Sequence, residues 1–364
     1  MKKELFLYLL FDEVVWVKYR WDERRSLRRR RGEKKTVKLS IVGFGNVGGS
    51  VADLIFAKRS ALWRDFGLDI KVVGVADAKG VFVEEDGIPA EKLREFRAKH
   101  RVAPNTDLNA VEMIDAVEHD LVVEATPTNI ESGEPGLTHI LTALKARRHV
   151  VTSNKGPIAL HYDRLMRLAA DNGVQLRFEA TVGGAMPLIS LCLENLAGSE
   201  ILSVKGILNG TCNYILTRMS EEKLPFEHAL REAQALGIAE SDPSQDISGE
   251  DTAVKLVILA NAIFGMNASP KDVSVQGISE ITPEALLLAK DAGYTIKLVG
   301  EVSRERLEVA PRLVPKGDPL DVKGTLNVAT VKTDIAGDIT IVGKGAGPKE
   351  AASAILSDIL KIFA

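Results

Sequence analysis

The sequence has few of the side chains that build disulfides and metal centres. Its two cysteines, Cys192 and Cys212, make no disulfide framework and match no zinc pattern. Its six histidines show no H-x-H or H-E-x-x-H spacing, so we predict no transition-metal site. No apolar run reaches the roughly 18 residues that a membrane-spanning helix needs. We therefore expect no membrane partner and a cytoplasmic protein.

The chain as a whole also has little net charge. The net charge is −3 over 364 residues, which gives no general attraction to nucleic acid, and we expect no nucleic-acid partner. Hydrophobic residues make up 45% and charged residues 27% of the chain, as in an ordinary globular protein. This length is enough for a sizeable core and predicts two domains.

Residues 1–36 are the exception to this balance. Residues 20–35 hold nine Lys or Arg and three acids, a local charge of +6. The basic part follows the apolar part and acids interrupt it, so this is not a secretory signal. An arm that binds nucleic acid or an anionic surface is one interpretation. We favour a solvated basic N-terminal extension with little function, and we leave residues 1–36 out of the fold.

A glycine-rich turn follows the first predicted strand. The strand reads VKLSIVG over residues 37–43, and a helical segment comes directly after the glycines. In G-x-G-x-x-G the glycines allow the tight turn, the approach of a pyrophosphate and the packing of helix on strand. A glycine turn in another βα unit is the alternative. The cofactor-binding candidates are Gly43, Gly45, Asn46, Val47 and Gly48.

The next predicted strand, 69–76, ends at an acid. Asp77 occupies the position that usually binds the ribose hydroxyls of NAD. Lys79 follows closely and offers a charge for the 2′-phosphate of NADP instead. The expected cofactor is therefore NAD or NADP, and the residues leave the choice between them open.

Polar residues follow two further predicted strands. The runs LVVEATPTN (121–129) and HVVTSNKGP (149–157) have the composition of buried parallel strands. Ligands bind outside the carboxyl ends of such strands. Thr126 and Pro127 occupy one such end, and Asn154 and Lys155 occupy the other. A lysine at a strand end is usually only solvated, but two strand ends over one nucleotide site make Lys155 a candidate.

The densest chemistry lies in residues 237–255, GIAESDPSQDISGEDTAVK. Gly237 is expected to close a helix, and Ser248 to cap the next one. Asp251 and Lys255 share a helix face, and the apolar run after Lys255 predicts a buried helix. Spacing alone favours a snorkelling lysine paired with the acid. The alternative is an active-site lysine that donates a proton, with acids binding a cationic substrate. The five acids are Glu240, Asp242, Asp246, Glu250 and Asp251.

Two later stretches bear on a cation and on the second domain. The stretch EATVGGAMP (179–187) offers backbone carbonyls and one carboxylate, hard ligands suited to an alkali or alkaline-earth cation. A strand-to-helix turn explains the same residues, and residue types alone favour that turn. Residues 294–343 are rich in predicted strands, which indicates a mixed or antiparallel sheet in a second domain.

Seven stretches together resemble the homoserine dehydrogenase family, in the family's order and over residues 37–364. The stretches are GFGNVG (43–48), EATPTN (124–129), VTSNKGP (151–157), EATVGGAMP (179–187), ILNGTCNYIL (207–216), the acidic stretch 237–255 and GKGAG (343–347). Cys212 stands where the family commonly has threonine, and Ile238 stands where an aromatic residue is common. These two departures concern packing rather than chemistry.

The resemblance implies reversible NAD(P)-dependent reduction of L-aspartate 4-semialdehyde to L-homoserine, a step toward threonine, methionine and isoleucine. It implies an α/β fold with a Rossmann-type parallel-sheet nucleotide-binding domain, for which we expect residues 37–158 and 337–364. An α+β substrate-binding and dimerisation domain is expected over 159–336, in a homodimer. We expect no fused aspartate kinase and no C-terminal regulatory domain.

The resemblance also assigns roles to residues. Lys255 is similar to the residue that protonates the aldehyde oxygen, and Lys155 to the second lysine of the site. Glu240 and Asp251 are expected to bind the substrate ammonium and orient Lys255, with Asp246 in support. Gly237 and Gly347 are expected to line the cofactor. The residues that match a site for a monovalent cation, Na⁺ or K⁺, are Glu179, Val182, Gly184 and Met186.

Three other functions stay open at this point. An amino-acid dehydrogenase on the same nucleotide fold would act at a C–N rather than a C–O bond. A non-catalytic sensor would bind NAD(P) without hydride transfer. A nucleic-acid binder would depend on the basic extension at residues 1–36.

Overall fold

The computed structural model describes residues 35–98 and 104–364, which form two six-stranded sheets joined by helices. Residues 1–34, and with them most of the predicted basic extension, lie outside the described residues. Lys35 and Thr36 were assigned to that extension but belong to the first strand, where they pair with Leu68 and Asp69 of the second. Lys35 and Thr36 are therefore part of the first sheet rather than of the predicted extension.

The first sheet has the strand order β3-β2-β1-β4-β5-β6. Every neighbouring pair is parallel except β2 and β3. The chain runs outward from β1 in one direction and then in the other, so the gap between β1 and β4 is the switch point where such sheets bind ligands. The strands are β1 Lys35–Val42, β2 Leu68–Asp77, β3 Gly80–Val83, β4 Leu121–Glu124, β5 His149–Thr152 and β6 Leu176–Arg177.

Helices cover both faces of this sheet, which explains why its central strands are apolar almost throughout. Every residue of β4 is buried, and in β5 only His149 is partly exposed. The helices are α1 Asn46–Phe66, α2 Ala90–Arg97, α3 Ala110–Ala116, α4 Gly136–Lys145 and α5 Lys155–Asp171.

The second sheet has the order β12-β11-β7-β9-β10-β8. Its neighbours are antiparallel except β10 and β8. The strands are β7 Ile201–Ile207, β8 Ser274–Val275, β9 Tyr294–Ser303, β10 Leu307–Pro315, β11 Leu326–Thr333 and β12 Asp338–Lys344. The helices are α6 Leu188–Ser190, α7 Gly210–Glu222, α8 Phe226–Ala235, α9 Ser244–Ile247, α10 Glu250–Phe264, α11 Pro283–Asp291 and, at the C-terminus, α12 Pro348–Phe363.

Helix α10 lies between the two sheets. It packs against α5 on one side and against β9 and β10 on the other. Its residues from Thr252 to Asn261 are all buried, as the apolar run predicted. The predicted cap is wrong, because the helix begins after Gly249 in a left-handed conformation (φ 90°) rather than at Ser248. The hydroxyl of Ser248 instead accepts from the N–H of Glu250 at 3.4 Å.

The C-terminal helix α12 returns to the first sheet. Ile355 and Ile359 belong to the same buried cluster as Val51 and Ile55 of α1. Burying side chains of this size removes a large apolar area from water. Each Å² of that area stabilises the fold by on the order of 25 cal/mol. The last helix of the chain therefore completes the core around the glycine turn.

The predicted fold class is confirmed, but the strands divide the chain differently from the predicted domain boundaries. Strand β6 pairs with β5, so the first sheet extends past residue 158. Strand β12 pairs with β11, so the second sheet extends past residue 337. The runs 121–129 and 149–157 end as strands at Glu124 and Thr152, earlier than predicted, where the side chains of Glu124 and Thr152 accept from the N–H groups of Thr126 and Asn154. In the described part of the chain, every helix is too short or too polar to cross a bilayer.

Candidate active site

The glycine turn after β1 has the close contacts that its motif predicts. The N–H of Gly43 donates to the carbonyl of Ala76 at 2.9 Å. With φ at 89°, a Cβ on Gly43 would lie 2.4 Å from the carbonyl carbon of Ala125. A Cβ on Gly48 would lie 2.4 Å from the carbonyl oxygen of Gly43. These two glycines are therefore required by the protein's own packing.

Gly45 differs from its neighbours. Among the described residues, nothing lies within 4 Å of the position of its Cβ. Gly45 precedes α1, whose first turn is Asn46, Val47 and Gly48 and carries no acid. The first N–H groups of a helix lack partners within it and attract anions. The open space at Gly45 fits a pyrophosphate, so the residues present suit a dinucleotide.

Asp77 lies at the carboxyl end of β2, beside this turn. Its carboxylate accepts from the N–H of Lys79 at 2.7 Å. The Lys79 ammonium points to the end of α2, where it donates to the carbonyls of Phe96 and Arg97 at 3.3 Å. The sequence interpretation did not single out Arg97, whose guanidinium lies beside Gly49, directly after the first turn of α1. Its position depends on the packing of α2, which the spacing of residues does not reveal.

A buried acid, Glu124, organises the ends of β4 and β5. It is 0% exposed and accepts from the N–H of Thr126 at 3.0 Å, and from that residue's hydroxyl. The hydroxyl of Thr152 donates to it at 3.0 Å. Asn154 donates to the hydroxyl of Thr126 at 3.2 Å and to the carbonyl of Pro127 at 3.4 Å. The two predicted strand ends are therefore one hydrogen-bonded unit.

This unit fixes the start of α5. The side-chain oxygen of Asn154 caps the helix by accepting from the N–H of Gly156 at 3.2 Å. Lys155, predicted at a strand end, is the first residue of that helix. The sequence interpretation missed Glu124 as a site residue. The signal was present, because an acid closes the otherwise apolar strand LVVE, and a buried charge needs hydrogen-bond partners.

Two lysines converge on one carboxylate between the sheets. The ammonium of Lys255 lies 2.7 Å from one oxygen of Asp251. The ammonium of Lys155 lies 3.2 Å from the other oxygen. Lys255 is 7% exposed and also donates to the carbonyl of Leu208 at 2.6 Å. The two lysines lie on different helices, α5 and α10, so Asp251 links these two helices at the site.

The charges of this triad support one another. Burial opposes ionisation of Asp251, but the Lys255 and Lys155 ammonium groups outweigh it and hold its pKa below the usual range. The charge of Asp251 in turn raises the pKa of Lys155, against the opposite effect of burial. Asp251 is therefore ionised and Lys155 is protonated at neutral pH. The carboxylate orients ammonium groups and does not itself supply a proton.

Further acids surround the triad. Asp246 accepts from the side-chain nitrogen of Asn209 at 2.6 Å, and the same nitrogen donates to Asp251 at 3.0 Å. Glu240 is exposed, but its charge still contributes to the raised pKa of Lys155, after Asp251 and Asp246. Asp246 and Asp251 thus lie together, with Glu240 toward solvent. Asp242 and Glu250 are exposed, Asp242 in the loop before α9 and Glu250 as the first residue of α10.

Comparison with known proteins decides the family. The model described as "Homoserine dehydrogenase, NAD binding domain" matches residues 43–179, and "Homoserine dehydrogenase" matches residues 187–360. A homoserine dehydrogenase of Methanocaldococcus jannaschii is 52% identical over 89% of this chain and 97% of its own length. The chain belongs to the homoserine dehydrogenase family.

Two further relatives of the homoserine dehydrogenase family agree with this assignment. An NAD(+)-dependent homoserine dehydrogenase of Pseudomonas canavaninivorans is 39% identical over 89% of this chain and 96% of its own. A crystal structure assigned as a homoserine dehydrogenase of Archaeoglobus fulgidus superposes with a TM-score of 0.85 at 50% identity. The superposition covers 90% of this chain and 99% of the Archaeoglobus fulgidus chain. The predicted enzyme class, an NAD(P)-dependent oxidoreductase of the homoserine dehydrogenase family, is confirmed.

The stretch predicted to bind a cation forms a compact turn in this homoserine dehydrogenase chain. The carboxylate of Glu179 accepts from the N–H groups of Ile189 at 2.9 Å and Ser190 at 2.8 Å, and from the Ser190 hydroxyl. The carboxylate of Glu179 is therefore engaged with the start of α6, and its backbone carbonyl is the candidate ligand. Val182 and Met186 are buried. Gly184 (φ 58°) lies against Gly345, where a Cβ would approach the carbonyl to 2.5 Å.

Side-chain ligands do not converge on this turn. Within residues 35–98 and 104–364, three or more His, Cys, Asp or Glu side chains nowhere come together as a metal cluster. A site here would rest on carbonyl oxygens, which fit Na⁺ or K⁺.

The buried Asp358 of α12 accepts from the N–H of Glu179 at 2.9 Å. Burial raises the pKa of Asp358 to about 7.

The two remaining glycines predicted to line the cofactor lie at helix ends. Gly237 (φ 69°) follows the end of α8, as predicted. Gly347 (φ 131°) precedes α12, and a Cβ there would meet the carboxylate of Glu350 at 2.2 Å. Their contact with a cofactor stays a prediction.

The glycine turn yields a matched pair of substitutions. Gly45→Ala should leave the Tm within about 2 °C of the parent, because the Cβ enters open space at a negative φ of −89°. It should weaken NADH and NADPH binding about tenfold or more, because we expect that space to receive the pyrophosphate. Gly48→Ala should weaken cofactor binding and, unlike Gly45→Ala, should also lower the Tm, because its Cβ meets backbone. Thermal unfolding and fluorescence titration check both, and equal Tm losses would contradict the assignment.

Proposed function

We propose that this chain interconverts L-homoserine and L-aspartate 4-semialdehyde, with Lys255 as the proton donor to the aldehyde oxygen. One observation carries the proposal: the Lys155 and Lys255 ammonium groups meet at Asp251, 3.2 Å and 2.7 Å from its two oxygens. Lys155 follows shortly after β5, whose end is hydrogen-bonded to that of β4, and β4 borders the switch point of the nucleotide sheet. The bound nicotinamide supplies or accepts the hydride.

The protein's part in the reaction is charge stabilisation and proton transfer. Hydride addition to an aldehyde builds negative charge on its oxygen, and a preorganised ammonium stabilises that charge. An ammonium has three N–H donors. Lys255 uses one toward Asp251 and one toward the carbonyl of Leu208, which leaves one for the substrate oxygen. In the oxidative direction the same nitrogen takes the proton back.

Lys155 assists from the nucleotide side. It spends one donor on Asp251 and keeps two for the substrate. Because its pKa is raised by Asp251, it serves as a fixed positive charge rather than a proton source. Holding the aldehyde between two ammonium groups also orients it toward the nicotinamide, and such positioning lowers the barrier further.

The acids serve the substrate's ammonium group. Asp251 already accepts from Lys155, Lys255 and Asn209, so orienting the lysines is its main role. Asp246 and Glu240 have more free acceptor capacity, and both act electrostatically on Lys155. We assign the ammonium of homoserine chiefly to Glu240 and Asp246.

For the cofactor we propose a preference for NAD over NADP. Asp77 ends β2 where the ribose diol is usually bound. The Lys79 ammonium donates to the carbonyls of Phe96 and Arg97, so it is not directed toward a 2′-phosphate. The NAD(+)-dependent enzyme of Pseudomonas canavaninivorans supports the same choice.

The proposal extends to assembly, location and the cation. The sheet of β12-β11-β7-β9-β10-β8 carries exposed apolar side chains, among them Leu202 (40%), Leu313 (60%) and Val342 (52%). Such surfaces often mark association, so we propose a homodimer with this domain as the substrate-binding and dimerisation domain.

The free, buried Cys192 and Cys212 suit a cytoplasmic location. We propose Na⁺ or K⁺ at the carbonyls of Glu179, Val182, Gly184 and Met186.

Homoserine oxidation, followed by the absorbance of reduced nicotinamide with NAD and with NADP, tests the reaction. The parent should be active with homoserine, and Lys255→Ala should lose kcat at least about a hundredfold. Its Kd for NADH should stay within about threefold. Lys271→Ala, at an exposed lysine, is the control and should match the parent. A Lys255→Ala enzyme with near-parent kcat would refute the role, and amino-acid deamination without homoserine oxidation would refute the reaction.

Glu240→Gln tests the assignment of the substrate ammonium. The charge is lost while the shape is kept, so KM for homoserine should rise about fivefold, a modest value because the group is exposed. Glu250→Gln removes another exposed acid, at the start of α10, and should leave KM unchanged. Steady-state kinetics at saturating NAD measure both. An unchanged KM in Glu240→Gln would count against this contact.

A further inference from the structure

We propose that Asn209 is a positioning residue, whose amide group holds Asp246 and Asp251 side by side and thereby fixes the two lysines of the site. The inference deepens the proposed function and rests on the roles given there to Lys155 and Lys255. Asn209 is 5% exposed and lies in the turn between β7 and α7.

The amide nitrogen of Asn209 bridges the two acids. It donates to an oxygen of Asp246 at 2.6 Å and to an oxygen of Asp251 at 3.0 Å. An NH₂ group has two hydrogens, so each carboxylate receives one. Both donors of this side chain are therefore committed to the active-site acids.

The other end of the amide fixes its orientation. The side-chain oxygen of Asn209 caps α7 by accepting from the N–H of Cys212 at 2.9 Å. A flipped amide would place oxygen against two carboxylates and nitrogen against an N–H donor. Both contacts would be repulsive, so the cap dictates that the NH₂ group points to the acids.

The bridge matters because it lies between like charges. Two neighbouring carboxylates repel one another, and without a shared donor one of them tends to take up a proton. The titratable or charged groups around the amide come from five elements or loops: Lys155, Cys212, Glu240, Asp246, Asp251 and Lys255. Burial raises the pKa of the Cys212 thiol well above its usual range, so that group stays neutral.

The same turn also fixes the proton donor. Leu208, the preceding residue, accepts from the Lys255 ammonium at 2.6 Å through its carbonyl. Two consecutive residues therefore hold the two members of the Asp251–Lys255 pair. A change in the amide should displace Asp251, and through it both ammonium groups.

Two substitutions separate this role from helix capping. Asp and Ser cap helices about as well as Asn, so Asn209→Asp and Asn209→Ser keep the cap. Asn209→Asp replaces the donor with a third negative charge, and Asn209→Ser leaves at most one neutral donor. Asn109→Asp is the control, because Asn109 also caps a helix, α3, by accepting from the N–H groups of Val111 and Glu112.

We expect kcat/KM for homoserine to fall at least about thirtyfold in Asn209→Asp and about fivefold in Asn209→Ser. The acid limb of the pH profile should move to higher pH in Asn209→Asp, because one of three adjacent carboxyls retains a proton. It should not move in Asn209→Ser. Asn109→Asp should match the parent in both respects.

Thermal unfolding and NADH titration show whether each variant is folded, and Asn209→Ser decides the matter if Asn209→Asp does not fold. Parent-like kinetics and pH profiles in the folded Asn209 variants would reduce Asn209 to a cap and overturn the inference. Lys255→Ala, assayed in parallel, separates the two proposals. If it keeps its turnover, the proposed function fails; if it is inactive while the Asn209 variants are normal, only the present inference fails.

Discussion

The site depends on one ion triad, Lys155–Asp251–Lys255, in which Lys255 is buried and the other two groups are half-buried. Each lysine reaches the carboxylate from a different helix, and α10, which carries two of the three groups, lies between the sheets. Removing one member of a buried pair leaves a charge without compensation and typically costs about 3–5 kcal/mol. In the proposed function the triad is therefore both the chemical centre and a connection between the parts of the chain that would bind the nucleotide and the substrate.

The surroundings of the triad can be understood as support for its three charges. On the nucleotide side, Glu124 and Asn154 fix the loop after β4 and the start of α5, and so place Lys155. On the substrate side, the turn at Leu208 and Asn209 holds Lys255 and Asp251. The substrate needs both signs of charge near it, because it is an amino acid that becomes an alkoxide-like species at its other end. A site with several acids around two ammonium groups meets this need.

The sequence predicted those parts of the site that depend on local spacing. The order of G-x-G-x-x-G after a strand predicted the turn at Gly43, and the i,i+4 interval predicted the Asp251–Lys255 contact. Gly237 at a helix end followed from the same kind of rule. The contact between Lys155 and Asp251 joins residues far apart in the chain, and only the family resemblance suggested it.

The parts that the sequence did not predict depend on tertiary packing. Glu124 is an organising acid only because β4 and β5 are neighbours, so that the Thr152 hydroxyl reaches it. Asn209 caps α7, but its bridge to the acids requires α9 and α10 to fold against α7. The long strands expected at 121–129 and 149–157 were cut short by the hydrogen bonds of these same polar residues. In each case a side chain found its partner on another element.

The most direct test of this account is the turnover of Asp251→Asn, which keeps the shape of the side chain and removes its charge. With homoserine and NAD, we predict that kcat falls at least about a hundredfold, because both ammonium groups lose their common anchor. The Kd for NADH should stay within about threefold, and Asp242→Asn, at an exposed loop acid, should match the parent. A folded Asp251→Asn enzyme whose kcat stays within about threefold of the parent would contradict the central place given to this carboxylate.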